Sequence, residues 1–357
     1  MNNKSQARVS RRSLLGSIAV VVALSLISIS SYAIKSTPNQ APDAKPNSKF
    51  GGVQIGAISY SWRSMPGGVE NIIKYCNETG INSLELMSND VENYLGAPVN
   101  PMMSFMRPPA PPPAPAATPG AAPAAPAPMQ RPKLTPEQEA AVAKYNVEMK
   151  AWRLAQPMSK FEDVKKMFDK AGIGIHIVKF SPSRWSDEEI DYAFKAAKAM
   201  GAKGVSDEIS ENACKKMGPI AEKYGMYAVF HQHMQFATEG FNYDTFMAIS
   251  PAVMFNFDSG HFFGSTGIDP ITMIEKYHNR IFSIHIKDKT GPKTEPTPNT
   301  NQVWGQGEMP LAQVLTYIKE KKYPIYCDIE LEYDVKPWSN AVKEVKTCVE
   351  YAKQILK

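Results

Sequence analysis

The sequence predicts a (β/α)8 TIM barrel, and three observations carry the prediction. Short apolar, β-rich runs alternate with helix-like segments from about residue 50 onward, and eight such runs can be counted. Nearly every run stops abruptly at Trp, Asp, Glu, His or Lys, as a buried parallel strand does when its carboxyl end opens onto a site. The chain of 357 residues is long enough for one large domain of this kind once its terminal and low-complexity segments are set aside. An open doubly wound sheet is the competing arrangement, but no Gly-rich phosphate fingerprint follows a first strand.

Taken in order, residues 1–33 read as an export signal. Lys4, Arg8, Arg11 and Arg12 precede an apolar run from Leu14 to Ile29 and a small-residue end at Ala33. The Arg11-Arg12 pair suggests the twin-arginine route, which carries folded proteins, and hence a periplasmic or secreted location. Only an uncleaved signal would tie the protein to a membrane. Residues 34–50, rich in Pro, Asn and Lys, read as a disordered linker. Val53 to Tyr60 forms a first strand ending at Trp62, Gly68 to Thr79 a helix, and Ile81 to Leu86 a second strand carrying Glu85. Residues 101–132, dominated by Pro and Ala, form a low-complexity insertion after strand two. Thr135, Pro136 and the acids after them open a helix that runs to about Ala155.

The alternation then resumes. Phe161 to Ala171 is helical, Gly174 to Phe180 a strand with Lys179 near its end, and Asp187 to Met200 a helix. Ala202 to Val205 leads into Glu208, and Tyr227 to Phe230 leads into His231-Gln232-His233. Val253 to Asp258 and Ile281 to Lys287 are strands six and seven, joined through Pro270 to Asn279. Pro324 to Glu332 is strand eight. Four cysteines, Cys76, Cys214, Cys327 and Cys348, show no CxxC spacing and read as free buried thiols.

Charge removes one class of partner. Residues 1–33 hold four basic residues and no acid, so the formal charge of +5 becomes +1 without them. A near-neutral surface with scattered Lys and Arg does not suit nucleic acid.

In a barrel the strand ends converge, which brings Trp62, Glu85, Lys179, Glu208, His231, His233, Asp258, His261, His285, Lys287, Glu330 and Glu332 to one face. Such a set of carboxylates and imidazoles suits a metal site, an acid/base site, or both. Asp328, Glu330 and Glu332 alternate along strand eight and so face one way. Glu332, nearest the strand end, is the geometric choice for a site residue.

The run Asp258-Ser-Gly-His261, the run His285-Ile-Lys287-Asp288, Gly305-Gln-Gly307-Glu308, and Glu330 together resemble the xylose isomerase-like TIM barrel superfamily, in particular its sugar phosphate isomerase/epimerase group. The resemblance covers Gly52 to Lys357 apart from the Pro/Ala insertion. It implies a metal held by Asp258, His285 and Glu330 plus a ligand from strand five. There the family pattern has a glutamate, and this chain has His231-Gln232-His233, similar to the variant in inosose dehydratase-like members. Either histidine suits the vacancy; His231 is the first choice, Glu330 is preferred to Glu332, and a histidine shifts preference toward Mn, Zn, Co or Fe over Mg.

The implied chemistry is removal of a proton beside a carbonyl, with a divalent ion stabilising the enediolate. The base candidates are Glu332, Glu208 and His233, in an environment that raises the carboxyl pKa toward neutrality. Lys287 joins them, or holds substrate oxygens together with His261. Trp62 is a stacking surface for the sugar, and Glu85 and Lys179 are further substrate contacts. The expected substrate is an unphosphorylated keto sugar or polyol. The expected outcome is isomerisation or epimerisation. Elimination from a 3-keto sugar or inosose is the alternative, and a non-catalytic sugar-binding barrel a third.

Overall fold

The computed structural model describes residues 45–102 and 134–357. Eight parallel strands close a ring: β1 (Val53–Ile58), β2 (Ser83–Met87), β3 (Gly174–Lys179), β4 (Gly204–Glu208), β5 (Tyr227–His231), β6 (Val253–Asp258), β7 (Ile281–Ile286) and β8 (Tyr326–Ile329). Closure is made by β8 pairing with β1, where Asp328 lies opposite Gly56 and Ile329 opposite Ala57. The (β/α)8 expectation therefore holds.

Helices cover the outside of the ring. They are α1 (Val69–Thr79), α2 (Ser88–Tyr94), α3 (Pro136–Ala155), α4 (Ser159–Ala171), α5 (Asp187–Ala199), α6 (Glu211–Tyr224), α7 (Asp244–Met247), α8 (Ser259–Thr266), α9 (Ile271–Tyr277), α10 (Leu311–Lys321) and α11 (Ala341–Leu356). Local sequence explains their limits. Thr135 and Gln138 make the reciprocal cap expected at the start of α3, with Pro136 in its first turn. In α1, Val69, Ile72, Cys76 and Thr79 repeat at helical spacing and are buried, and Gly80 ends the helix in the left-handed region at φ 83°. The main core lies between the strands and this helical layer. Cys76, Cys214, Cys327 and Cys348 are buried within it and unpaired.

Several expectations need correction or fall outside the description. The linker was expected through residue 50, but Lys49–Phe50 forms a short strand antiparallel to Val53 and Gln54. Ser48 is fully buried, its hydroxyl donating to Ile55 O and Asn82 Oδ1. The polar side chains of this stretch find partners in the barrel floor, which composition alone cannot reveal. Strand eight ends at Ile329, so Glu330 and Glu332 stand on the loop beyond it. The export signal at 1–33 and most of the insertion at 101–132 lie outside the described residues. Among the described residues no helix is long and apolar enough to cross a membrane.

The chain re-enters the described fold through α3, which is tied back across the insertion. Arg153 of α3 lies 2.9 Å from Glu92 of α2 and 3.1 Å from Glu189 of α5, and its guanidinium stacks 3.4 Å over the Trp185 ring.

The barrel interior is layered. Ile177, Val229 and Phe282, with Met254 and Tyr326, form a small apolar plug. Deeper in the ring, buried His176 bridges Ser83 Oγ at 2.9 Å and Asp328 Oδ2 at 2.9 Å. Only Gly fits at position 56, because a Cβ there would come 2.0 Å from Asp328 Oδ1. Glu85 and His285 lie in the polar layer bonded to the site itself.

Candidate metal centre

The ends of β5, β6 and β7 and the loop after β8 each contribute one side chain to a common centre. Asp258 closes β6 and divides its carboxylate between two tasks. Its Oδ1 accepts from His261 N at 2.7 Å and caps α8, while Oδ2 faces the interior, 3.2 Å from His231 Nε2. From β7, His285 places Nδ1 2.9 Å from Glu330 Oε2 and 4.0 Å from Asp258 Oδ2. His231, Asp258, His285 and Glu330 are all buried, and one donor atom from each lies within 4.8 Å of the others.

The far nitrogen of each imidazole is held from behind. His231 Nδ1 lies 3.2 Å from Glu208 Oε2, and His285 Nε2 lies 2.8 Å from Glu85 Oε2. A carboxylate behind an imidazole fixes ring orientation and tautomer and turns the other nitrogen toward the shared centre. Glu85 is itself fixed by Ser206 Oγ and by Asn256 Nδ2, each donating at 2.8 Å.

Lys287 enters the same acid cluster. Its Nζ is 2.7 Å from Asp258 Oδ2, 2.5 Å from Glu330 Oε2 and 2.7 Å from Glu332 Oε2. Burial works against the charged ammonium, but the three carboxylates outweigh it and raise the Lys287 pKa. Burial would raise Asp258 and Glu330 too; Lys287 and the imidazoles hold both well below the usual carboxylate range. For His285, burial opposes charge, yet Glu330 and Glu85 hold its pKa well above the ordinary value.

The other expected residues sort by depth. His233 stands past the end of β5 and is half exposed at the rim, its Nε2 3.1 Å from Glu208 Oε2. That hydrogen bond raises its pKa. His261 is largely buried, with Nε2 3.5 Å from Glu332 Oε2 and 3.8 Å from Asp258 Oδ2, and neither ring nitrogen has a hydrogen-bond partner. Burial pushes its pKa down to about 4.

Four expectations change. Trp62 is 2 % exposed and packed in the core, its ring 5.8 Å from Tyr75, so it offers no face to a sugar. Glu85 is fully enclosed; burial would raise its pKa, but the adjacent His285 brings it to about 2, and the group orients His285 rather than touching substrate. Lys179 spends its ammonium on Glu208 Oε1 at 2.8 Å. Glu208 was expected as a base raised toward neutrality. Burial does act that way, but hydrogen bonds from His231 and His233 and the charge of Lys179 win and depress it strongly.

Asn256 and Ser206 were missed, although the signal was present: each stands two residues before a recognised strand-end acid, on the same face. Asp288 was noted only within a run. Its Oδ2 accepts from Gly305 N at 2.7 Å and Gly307 N at 2.9 Å, which explains that glycine pair. A cleft of about 830 Å3, lined by Lys203, Tyr227, Phe282 and Tyr326, lies at the amino-terminal end of the strands, away from these donors. It contains no acid/base cluster, whereas barrel chemistry belongs at the carboxyl ends.

Comparison with known proteins agrees with this architecture. A family profile described as "Xylose isomerase-like TIM barrel" matches residues 140–353. An inosose dehydratase of Clostridium perfringens is 28 % identical over 149 residues, 37 % of this chain and 50 % of that protein, so the match spans about half the length of such relatives. A sugar phosphate isomerase/epimerase structure from Parabacteroides distasonis superposes with a TM-score of 0.51 at 17 % identity, covering 86 % of this chain and 96 % of that one. The IolI protein, solved with a bound zinc atom, gives a TM-score of 0.52 at 13 % identity, covering 85 % and 99 %. At these identities the two structures show a shared fold.

Proposed function

The chain belongs to the xylose isomerase-like TIM barrel family, and from that premise we propose that it is a divalent-metal-dependent enzyme that removes a proton beside the carbonyl of a sugar or polyol. The observation carrying the proposal is the convergence of His231 Nε2, Asp258 Oδ2, His285 Nδ1 and Glu330 Oε2, with a carboxylate behind each imidazole. Two nitrogens and two oxygens in a buried setting suit Zn, Mn, Fe or Co. Lys287 shares part of this volume, and its third partner, Glu332, gives the ammonium a place to withdraw. A divalent ion held there would polarise substrate oxygens and acidify the neighbouring C–H.

The chain's own groups supply the proton chemistry. Glu332 is the base: it stands beyond β8, partly accessible, with Lys287 Nζ at 2.7 Å to settle its charge. The proton that Glu332 takes up is the one returned to a departing hydroxyl, and His261, a neutral imidazole whose ring nitrogens are unpartnered and whose Nε2 lies 3.5 Å from Glu332, holds that hydroxyl in place.

Elimination is the outcome this arrangement favours. Epimerisation by two opposed bases needs a second carboxylate, and Glu208 is held by Lys179, His231 and His233, whereas Glu332 is held within hydrogen-bond distance by Lys287. The similarity to inosose dehydratases supports the same choice. Isomerisation by one base uses the same residues and is the second reading. The Arg11-Arg12 pair supports a reaction outside the cytoplasm.

The test is incubation of Mn- or Zn-loaded protein in deuterated water with inosose and a panel of keto sugars, followed by NMR. Loss of water with a new double bond supports elimination. Deuterium in a product of unchanged skeleton supports isomerisation instead. Metal binding without deuterium uptake or product would overturn the enzymatic reading.

A further inference from the structure

Lys289 stands apart from the other cations of the site. His285, Lys287 and Lys289 occupy alternate positions along β7 and its continuation, where Asp288–Lys289 pairs with Asn301–Gln302, so their side chains share one face. Lys287 is surrounded by Asp258, Glu330 and Glu332, and Lys179 is paired with Glu208. Lys289 is 4 % exposed, and its Nζ donates to Asn301 Oδ1 at 3.1 Å. Among the described residues no carboxylate lies within 4.0 Å of that ammonium. Burial and the charge of Lys287 lower the Lys289 pKa, and the more distant Asp258, Glu332 and Glu330 offset this only in part. A buried ammonium without a counter-ion is costly, and a chain that retains one places its partner elsewhere.

The groups packed around Lys289 leave polar atoms for that partner. Gly264 of α8 leaves space for the lysine stem: a Cβ there would come 2.7 Å from Lys289 Cε and 2.2 Å from Asn299 Oδ1. Asn299 Oδ1 and both ring nitrogens of His261 are buried and have no hydrogen-bond partner. His261 lies close enough to Lys289 to feel its charge and borders Glu332 and Asp258. Asn299 Oδ1 can accept from a ligand hydroxyl, and the N–H of the His261 ring can donate to a ligand oxygen.

We propose that the substrate is an acidic sugar or polyol, and that Lys289 binds its carboxylate while the reacting carbons lie over Asp258, His285 and Glu330. This rests on the sugar-enzyme reading above and narrows it. A phosphate shares the anionic chemistry, but its larger charge usually recruits an arginine fork or several backbone amides. One ammonium, with the unpartnered ring of His261 as a second donor, matches a carboxylate better.

The experiment compares three ligands on one carbon skeleton: glucose, glucuronate and glucose 6-phosphate, each titrated calorimetrically into the metal-loaded full-length protein. Glucuronate should bind more tightly than glucose, and Lys289→Met should remove roughly 10- to 100-fold of that preference while glucose affinity stays constant. Lys289→Gln, which keeps a polar tip, provides the same comparison if the Met variant does not fold. Equal binding of glucose and glucuronate, or an unchanged preference in the folded variant, overturns the carboxylate assignment and leaves the sugar reading in place. A preference for glucose 6-phosphate that Lys289→Met abolishes also overturns it, in favour of a phosphorylated substrate. Failure of all three ligands to bind overturns this proposal, while the sugar reading stands or falls by the inosose and keto-sugar assay above.

Discussion

Glu85→Gln and Glu208→Gln probe whether the carboxylates behind the imidazoles set metal affinity. Both substitutions keep size and a hydrogen-bonding oxygen but remove charge. Glu85 Oε2 lies 2.8 Å from His285 Nε2 and both side chains are fully buried. Glu208 Oε2 lies 3.2 Å from His231 Nδ1, and the Glu208 side chain is 44 % exposed. A hydrogen bond to a charged group shielded from water contributes about 1.5–3 kcal/mol, whereas a solvent-screened pair contributes about 0.2–1 kcal/mol. Since about 1.4 kcal/mol is tenfold in affinity, Glu85→Gln should weaken metal binding by about 10- to 150-fold and Glu208→Gln by no more than about fivefold. The assay is competition of metal-free protein with a chelating indicator for Zn and Mn, with circular dichroism to confirm folding. Equal losses in the two variants, or full affinity in folded Glu85→Gln, would refute the reasoning that burial decides the contribution of each carboxylate.

Other expectations follow from the same geometry. Lys287→Met removes the ammonium that competes for Asp258 and Glu330, so metal affinity should rise by at least about tenfold while turnover falls, measured by calorimetry and by substrate NMR; weaker metal binding would count against shared occupancy. Trp62→Phe should lower stability by about 1–3 kcal/mol through lost packing and leave sugar affinity unchanged, because the ring is buried against Tyr75; a weaker sugar complex at unchanged stability would restore Trp62 to the site. Deleting residues 103–133 and joining the flanks through a short flexible linker should retain the fold and activity, since Arg153 already ties α3 to α2 and α5 and loop length affects stability only weakly; loss of activity in a folded deletion variant would contradict this.

Strand order and the identity of the strand-end groups were legible because alternation reports which face a side chain occupies and an apolar run reports where a strand ends. Depth was not legible. Asp328, Glu330 and Glu332 share a face as expected, yet Asp328 serves His176 deep in the ring, Glu330 joins the central donors, and Glu332 stands above them with Lys287. His231 and His233 also share a face by period. The ladder stops at His231, so only that ring is held inside the barrel and His233 reaches the rim. Pairing between strands was the other missing quantity: Lys179 and Glu208 are far apart in sequence, and nothing local indicates that each cancels the other's availability. Trp62 misled because an aromatic residue at a strand end has the same sequence signature whether it faces a ligand or the helical layer. Residues 48–50 misled because a short polar stretch can be ordered by a few hydrogen bonds.

The clasp on Asp288 fixes the segment that follows β7 at both of its ends. Its carboxylate accepts from Gly305 and Gly307, and Lys289 O accepts from Glu308 N and Met309 N, so the stretch between is pinched shut at its base. A Cβ at position 307 would come 2.2 Å from Asp288 Oδ1, which keeps the pinch free of side chains. Inside the pinch, Asn301 reaches back to Glu332 O and Lys289 Nζ, so the segment is held at its base by backbone groups and braced at its middle against the strand-eight loop.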